Sequence, residues 1–473
     1  MNDKSVAHYD YSDQVRIVVE PETGLHTRYA GVLAYKRAWH RFDMDTLLSN
    51  AGIRYGQEVD RAPELSLAWS LGPLVQANSL RKVVQRFGGD ATAPLERDEL
   101  LVHLLATPFS QRTLDRFASQ PRYDWAALQW GIVAHLQQQP GLRMQRRGII
   151  IWDDFPLPKP YATAMPYLSP IWDNNLKMEV PGYLIVHLYY YDPKGYSYSL
   201  YMEPWLKTTL TGETVAKTGR RRARQGEERS RLDIGLEALE HIVVARWPFE
   251  AVIMDNWYTV RWVGHELTQC QLAWIGEADS AQKFQVGLNL LSEAEIWERY
   301  AKHLKRLPGF GKGVRAYGLA ATIVPDQYTH EAQPVQLVLT EGLHQPREKD
   351  QGRHLLVCSQ RTWTVHHIVR LFSYRPKIEP THRSAKQEEG WLAFHTRNLP
   401  ALLGHLALSC VRATLLTLMR VWEPQLADYS LAEMITHWIG YVADLTHDAT
   451  GRLVVHLGQE HPALALIRGA GQT

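Results

Sequence analysis

Three acidic positions, far apart in the chain, have the character of ligands for divalent metal ions. Two short apolar runs are predicted to be buried strands; one ends at Asp153 and Asp154, and the other at Asp255. Glu379 lies in a later segment that is predicted to be helical. Carboxylates at strand ends, completed by a glutamate from a helix, can hold two Mg²⁺ ions about 3.5–4 Å apart. Because Mg²⁺ prefers carboxylate oxygens and keeps several waters, three such ligands can suffice. The pattern therefore predicts two-metal phosphoryl transfer.

Two basic residues flank Glu379 at spacings that suit phosphate binding. Arg375 precedes it by four residues and Lys386 follows it by seven, which places all three on one face of a helix. We therefore expect Arg375 and Lys386 to contact phosphate groups beside the carboxylates. Pro376 and Pro380 would each remove a helical hydrogen bond, so this helix is expected to begin near residues 376–379, with proline in its first turn.

These residues resemble the signature of a known family. The pattern Phe372-x₂-Arg375-x₃-Glu379-x₆-Lys386 is similar to the Tyr-Arg-Glu-Lys signature of the DDE transposases of bacterial cut-and-paste insertion sequences. Phe372 stands where that family has tyrosine, and it lacks the hydroxyl that would bind a phosphate. The segments Asp153-Asp-Phe-Pro-Leu-Pro-Lys159 and Asp255-Asn-Trp-Tyr258 resemble the aspartate motifs of the family. The resemblance covers roughly residues 148–415.

The resemblance implies a transposase that cleaves transposon ends and joins them to target DNA. It implies that Asp153, Asp255 and Glu379 are catalytic residues that bind two Mg²⁺ ions, for which Mn²⁺ can substitute. Its partners would be the terminal inverted repeats and the target, both double-stranded DNA, brought together by a homodimer. Lys159 and Tyr258, within the aspartate motifs, join Arg375 and Lys386 as expected DNA contacts.

The first aspartate position has two candidates. Neighbouring residues on a strand point to opposite faces, so only one of Asp153 and Asp154 can face the metals. Asp153 is favoured because Leu157 then falls where the family carries leucine. Asp154 remains the alternative metal ligand.

The order of predicted elements agrees with the resemblance. From residue 148, three antiparallel-type strands, a helix, a strand, a helix and a strand follow one another, which is the order of an RNase H-like fold. The sequence thus predicts an α/β protein with an RNase H-like core, a mixed five-stranded sheet with helices.

The predicted regions are a helical, DNA end-binding segment 1–147, the first part of the core 148–280, a mostly β insertion 281–362, the second part of the core 363–420, and a helical C-terminal segment 421–473 with a possible role in dimerisation.

Two further basic segments are candidates for DNA contact. Arg220, Arg221, Arg222 and Arg224 form a dense run that could neutralise phosphates. A solvated loop before a helix would have the same composition. Arg112 and Arg116 lie at helical spacing in the N-terminal region, where an ordinary amphipathic helix with solvated arginines is the alternative.

Composition sets the broader limits. The 473 residues carry a formal net charge of +2, which alone does not indicate a nucleic-acid partner. The three cysteines are far apart, which excludes a cysteine-rich zinc site and favours a reducing cytoplasm. The family resemblance implies that this is the cytoplasm of a bacterium, near the nucleoid. No apolar run reaches 18 residues and the N-terminus resembles no signal peptide, so no membrane span is expected.

Two other functions are compatible with these observations. One is a DNA-binding or targeting protein with an inactive site that derives from a transposase. The other is an RNase H-like nuclease that does not transpose.

Overall fold

The computed structural model describes residues 8–10, 15–18, 25–88, 98–162, 165, 167–173, 176–206, 222–223, 227–311, 313–325, 329–343, 352–387, 391, 396, 398–423, 426–430, 433–439, 442–447, 450 and 452–457. The chain divides into two compact units. We call residues 1–136, 161–166 and 383–473 the terminal unit, and residues 137–160 and 167–382 the central unit.

The N-terminal part of the terminal unit is mostly helical, as predicted, but it begins with strands. These are β1 (His8–Asp10), β2 (Val15–Val18) and β3 (Leu25–Thr27). The helices are α1 (Val32–Arg41), α2 (Met44–Asn50), α3 (Ala62–Leu71), α4 (Leu80–Phe87), α5 (Glu99–His103), α6 (Gln111–Ala118) and α7 (Trp125–Leu136). The apolar spacing over residues 64–89 predicts a single helix, and this prediction is wrong, because a 3-10 turn at Gly72–Val75 that contains Pro73 separates α3 from α4.

The central unit contains one sheet of twelve strands among its described residues. The strands are β4 (Ile149–Pro158), β5 (Ser169–Asp173), β6 (Met178–Tyr191), β7 (Tyr198–Trp205), β8 (Ala251–Met254), β9 (Trp274–Glu277), β10 (Lys283–Val286), β11 (Asn289–Ser292), β12 (Lys305–Arg306), β13 (Arg315–Ile323), β14 (Gln333–Glu341) and β15 (His354–Cys358). The helices are α8 (Arg231–Val244), α9 (Arg261–Gln269), α10 (Glu293–Tyr300), α11 (Val365–Phe372) and α12 (Glu379–Gln387).

The middle of this sheet is parallel and buried. Strand β4 pairs in parallel with β8, and β8 pairs in parallel with β9. Strand β6 is antiparallel to both β4 and β7. Parallel strands need cover on both faces, which explains the uninterrupted apolar runs of β4 and β8. Helices α8 and α9 follow β7 and β8, as predicted, but four strands rather than the predicted three precede α8, because β5 was not expected.

Residues 281–362 extend the sheet. As predicted, they are mostly strands, β10 to β15, with one helix, α10. Strand β15 pairs antiparallel with β9, and the sheet continues through β14, β13, β10 and β11. The inserted segment therefore covers an edge of the parallel strands that would otherwise expose unpaired backbone groups.

The C-terminal part of the terminal unit contains the long helix α13 (Leu399–Trp422) and two strands, β16 (Ala443–His447) and β17 (Leu453–His456). By length and a mean hydropathy of 1.6, α13 could cross a membrane, but 89% of its most apolar window is buried in the protein. It packs on α1, α3 and α7, as a core helix does.

The prediction of a helical C-terminal segment is wrong. The apolar spacing over residues 431–445 predicts a helix, but the helical turn at Met434–Ile439 is followed by β16 and β17. Strand β16 pairs with β3 and β17 pairs with β2. Pairing partners at the other end of the chain override the local apolar spacing that favoured a helix.

Two glycines inside helices provide a test of the packing around β4. A Cβ atom at Gly235 in α8 would lie 2.1 Å from the ring of the fully buried Trp152 of β4, whereas at Gly131 in α7 its nearest neighbour is 3.5 Å away. We expect Gly235→Ala to lower the free energy of unfolding by about 2 kcal/mol, because the ring cannot yield. Gly131→Ala should raise it by about 0.5–1 kcal/mol through helix propensity. Urea denaturation measures both, and equal effects of the two substitutions would contradict this packing.

Candidate active site

Asp153 and Asp255 lie on adjacent parallel strands and face the same side of the sheet. Asp153 is within β4 and Asp255 directly follows β8, where Trp152 is paired with Met254. Alternate residues of a strand share a face, so Asp153 lies on the side of Ile151, and Asp255 on the side of Ile253. Both isoleucines belong to the same buried core cluster as α11. The predicted convergence of these two aspartates is therefore present in the fold.

Asp154 faces the opposite side and is engaged there. Its Oδ2 accepts hydrogen bonds from Arg231 Nη1 at 2.6 Å and from the hydroxyl of Tyr258 at 2.7 Å. The Arg231 guanidinium also lies 4.9 Å from the ring of Trp257. This network leaves Asp153 as the aspartate that shares a face with Asp255.

Glu379 begins α12, as the two prolines predicted. A 3-10 turn over Arg375–Ile378 connects α11 to α12, with Pro376 in its first positions. Glu379 is the first residue of α12 and its side chain is 51% exposed. Proline suits such a junction because it needs no hydrogen-bond partner for a backbone N–H.

Arg375 joins the three acids. Its Nη2 donates to Asp153 Oδ1 at 3.3 Å and to Asp255 Oδ2 at 3.2 Å. Its Nη1 lies 3.6 Å from Glu379 Oε1. Thus the three carboxylates that the sequence singled out meet around one guanidinium.

Burial disfavours the charge of both aspartates. Desolvation raises the pKa of Asp153 to about 7; Arg375 opposes the rise and Asp255 adds to it. Desolvation likewise raises the pKa of Asp255 to about 6, again against the effect of Arg375. A single guanidinium therefore does not fully offset the cost of burying these two carboxylates.

The chemical type of the three donors suits a metal ion, but their spacing does not. All three groups are carboxylates with a common positive partner, which is the chemistry that Mg²⁺ requires. Within the described part of the chain, however, no three histidine, cysteine, aspartate or glutamate side chains form a group that could hold a metal. The chemistry of the donors suits Mg²⁺, whereas their spacing in this structure does not form a metal site.

Two residues of the aspartate motifs are not placed to contact DNA. Lys159 is 1% exposed, and desolvation lowers its pKa to about 7. Tyr258 is fully buried, packs on Trp152 at 4.8 Å between ring centroids, and donates its hydroxyl to Asp154. The prediction of phosphate contact is wrong for both in this structure, because their polar atoms lie inside the protein.

The signature positions that flank the acids are also resolved. Phe372 is 2% exposed and belongs to the core cluster, so this position serves packing. Lys386 lies near the end of α12, beyond the boundary of the central unit. Its predicted phosphate contact stays a prediction.

The other basic candidates differ in their engagement. Arg222 forms an ion pair with Glu240, with Nη2 2.7 Å from Oε2. Arg112 and Arg116 are exposed on α6, whose buried residues lie on its other side. Arg220, Arg221 and Arg224, the rest of the basic run, lie outside the described residues.

A pair of buried histidines connects α12 to the sheet. No pattern in the sequence predicts this contact. His187 on β6 is paired in register with Asp153 on β4. Its Nδ1 lies 2.9 Å from Nε2 of His382 on α12, and its Nε2 lies 2.9 Å from Ser199 Oγ. His382 is three residues after Glu379, so this hydrogen bond holds the turn of α12 that carries the third acid.

Comparison of the sequence with models of protein families and with curated proteins gives no match.

The raised pKa of Asp153 predicts how stability depends on pH. The pKa of Asp153 is about 7 in the folded protein, above the ordinary value of 3.8. At pH values between these two pKa values, the folded protein therefore binds a proton that the unfolded protein has lost. This contribution to stability is fully present below pH 4 and is lost as the pH rises through 7. Asp153→Asn should therefore be more stable than the wild type at pH 8, by about 1–3 kcal/mol, and nearly equal to it at pH 4.

Denaturant unfolding of both proteins at several pH values tests this expectation. Titrating groups that do not interact with Asp153 cancel in the difference. A difference that is constant from pH 4 to pH 8 would show that Asp153 has an ordinary pKa.

The histidine pair predicts a specific loss of stability. His382→Phe keeps an aromatic ring against Phe155, whose centroid lies 4.4 Å away, but leaves buried His187 Nδ1 without this partner. We expect the free energy of unfolding to fall by about 1–3 kcal/mol. The matched control, His330→Phe at an exposed histidine, should change it by less than about 0.5 kcal/mol. Similar values for the two variants would show that the hydrogen bond adds no stability.

Proposed function

We propose that this protein is a DNA transposase of the DDE type, which cleaves and joins DNA strands by Mg²⁺-dependent phosphoryl transfer. The observation that carries the proposal is the meeting of Asp153, Asp255 and Glu379 at one guanidinium. These acids come from the middle of β4, the residue after β8 and the start of α12, which lie far apart in the sequence. Their types and the spacing around Glu379 were the basis of the resemblance, and the fold brings them together.

The strand order gives further support. Strands β7, β6, β4, β8 and β9 are neighbours in that order. Among these five strands, β6 alone runs in one direction, and the other four, β7, β4, β8 and β9, run in the opposite direction. An RNase H-like core has this arrangement, so we propose that fold for this part of the sheet.

The roles of the residues follow from their positions. Asp153, Asp255 and Glu379 would hold the ions, and bound Mg²⁺ would supply an activated water and neutralise charge on the transferring phosphate. Burial of the two aspartates strengthens every electrostatic interaction at the site, because little water screens it. The β4–β8 pairing and the His187–His382 hydrogen bond fix the positions of the acids, and this fixed geometry supplies most of what phosphoryl transfer requires from a protein.

Strand cleavage tests the catalytic assignment. The substrate is a plasmid that carries the DNA flanking the gene, incubated with purified protein and Mg²⁺ or Mn²⁺. Asp255→Asn and Glu379→Gln should each lower the cleavage rate by at least roughly 100-fold, since each would remove a charged ligand of the ions that stabilise the transition state. The control Glu331→Gln changes an exposed acid of the same unit and should leave the rate unchanged. Equal cleavage by wild type and Asp255→Asn would remove the active site from this position.

One observation favours a second function. Arg375 occupies the point where the acids meet, which is also what a DNA-binding protein with an inactive site would show. Such a protein would bind the same DNA with wild-type affinity but cleave nothing in either metal. A nuclease that does not transpose would cleave, and it is distinguished by a separate assay for joining of the cut ends to a second DNA.

A further inference from the structure

The Arg375 side chain is held in the position of a cation among the three acids. Both of its terminal nitrogens are used by carboxylates, through the Asp153 and Asp255 hydrogen bonds and the Glu379 ion pair. Its Nε is buried and has no hydrogen-bond partner in the structure. The guanidinium thus contacts the acids through its terminal nitrogens, while its Nε–H remains unsatisfied. A buried N–H without a hydrogen-bond partner costs free energy.

The contacts are also long for charge-assisted hydrogen bonds. The distances of 3.2 and 3.3 Å exceed the 2.6 Å between Arg231 and Asp154 on the other face of the same strand. Charge-assisted N–H···O bonds are ordinarily about 2.7–2.9 Å long. The hold of Arg375 on the aspartates is therefore weaker than the Arg231–Asp154 pair, which has the same chemistry.

From these contacts we propose that Arg375 is an internal counter-ion that competes with divalent cations for the carboxylates of Asp153, Asp255 and Glu379. In the cation-free protein the guanidinium keeps the three acids together and limits their repulsion. A divalent cation of the Mg²⁺ or Mn²⁺ class binds only when the guanidinium leaves. Cation affinity is thereby set by an exchange of one positive group for another. The inference rests on the proposed function in that it takes these acids to be cation ligands.

Direct binding of Mn²⁺ tests the exchange without any measurement of catalysis. Isothermal titration of the full chain with Mn²⁺, without DNA, compares wild type with Arg375→Gln. The variant should bind Mn²⁺ at least roughly tenfold more tightly, because the cation no longer displaces a charged group. The matched control is Lys377→Gln, which removes an exposed positive charge from the same 3-10 turn and should change affinity by less than about twofold.

Thermal unfolding gives a second readout. A ligand that binds only the folded state raises the melting temperature, and at a given concentration a tighter ligand raises it more. Without Mn²⁺, Arg375→Gln should melt below the wild type, and added Mn²⁺ should raise its melting temperature more than that of the wild type. Should Arg375→Gln fail to fold, Arg375→Lys decides, since one ammonium cannot bridge the acids as a guanidinium does; it should bind Mn²⁺ at least roughly threefold more tightly than wild type.

The outcomes separate this inference from the proposed function. Unchanged or weaker Mn²⁺ binding by the Arg375 variants, with binding that Asp255→Asn abolishes, would overturn the exchange and leave the metal site in place. Such a result would make Arg375 an organiser of the ligands. Absence of Mn²⁺ binding by wild type and both Arg375 variants would overturn the exchange and the metal site together.

Discussion

The ion pairs between Arg375 and the aspartates of two parallel strands are the interaction on which the site depends. Asp153 and Asp255 lie within a sheet whose centre is apolar on both faces, and burial of an unpaired carboxylate is costly. The 3-10 turn between α11 and α12 places a positive group against them. Since Glu379 directly follows this turn, as the first residue of α12, the segment that compensates the buried charge also brings the third acid to the sheet.

Because successive side chains of a strand point to opposite faces, the two aspartates in the middle of β4 belong to two separate charge networks. Asp153 meets Arg375 on one face, and Asp154 meets Arg231 and Tyr258 on the other. The consecutive aspartates are therefore not redundant. Asp154 is held by a short ion pair and a buried hydroxyl, which fixes this part of β4, while Asp153 has the longer contacts of a group that can exchange its partner.

Local patterns in the sequence were sufficient for the parallel core and insufficient for pairings across the chain. The apolar runs before Asp153 and Asp255 fixed β4 and β8, and Pro376 correctly marked the start of the glutamate helix. Strands β16 and β17 were missed because their partners are at the opposite end of the chain. Lys159 and Tyr258 were misassigned because motif position carries no information about depth, and the His187–His382 contact joins residues 195 apart in sequence, which no local spacing encodes.

The positive charge of Arg375 does not fully compensate the negative charge of the three carboxylates at the site. Three carboxylates share one guanidinium, and the pKa values of Asp153 and Asp255 are still raised, to about 7 and about 6, because desolvation outweighs the attraction of Arg375. If the arginine were a purely structural counter-ion, natural pairing of buried charges would favour one acid for one base at short distance, as Arg231 and Asp154 show. The excess of acid over base at this point is instead the condition in which a more highly charged ion gains most from entering.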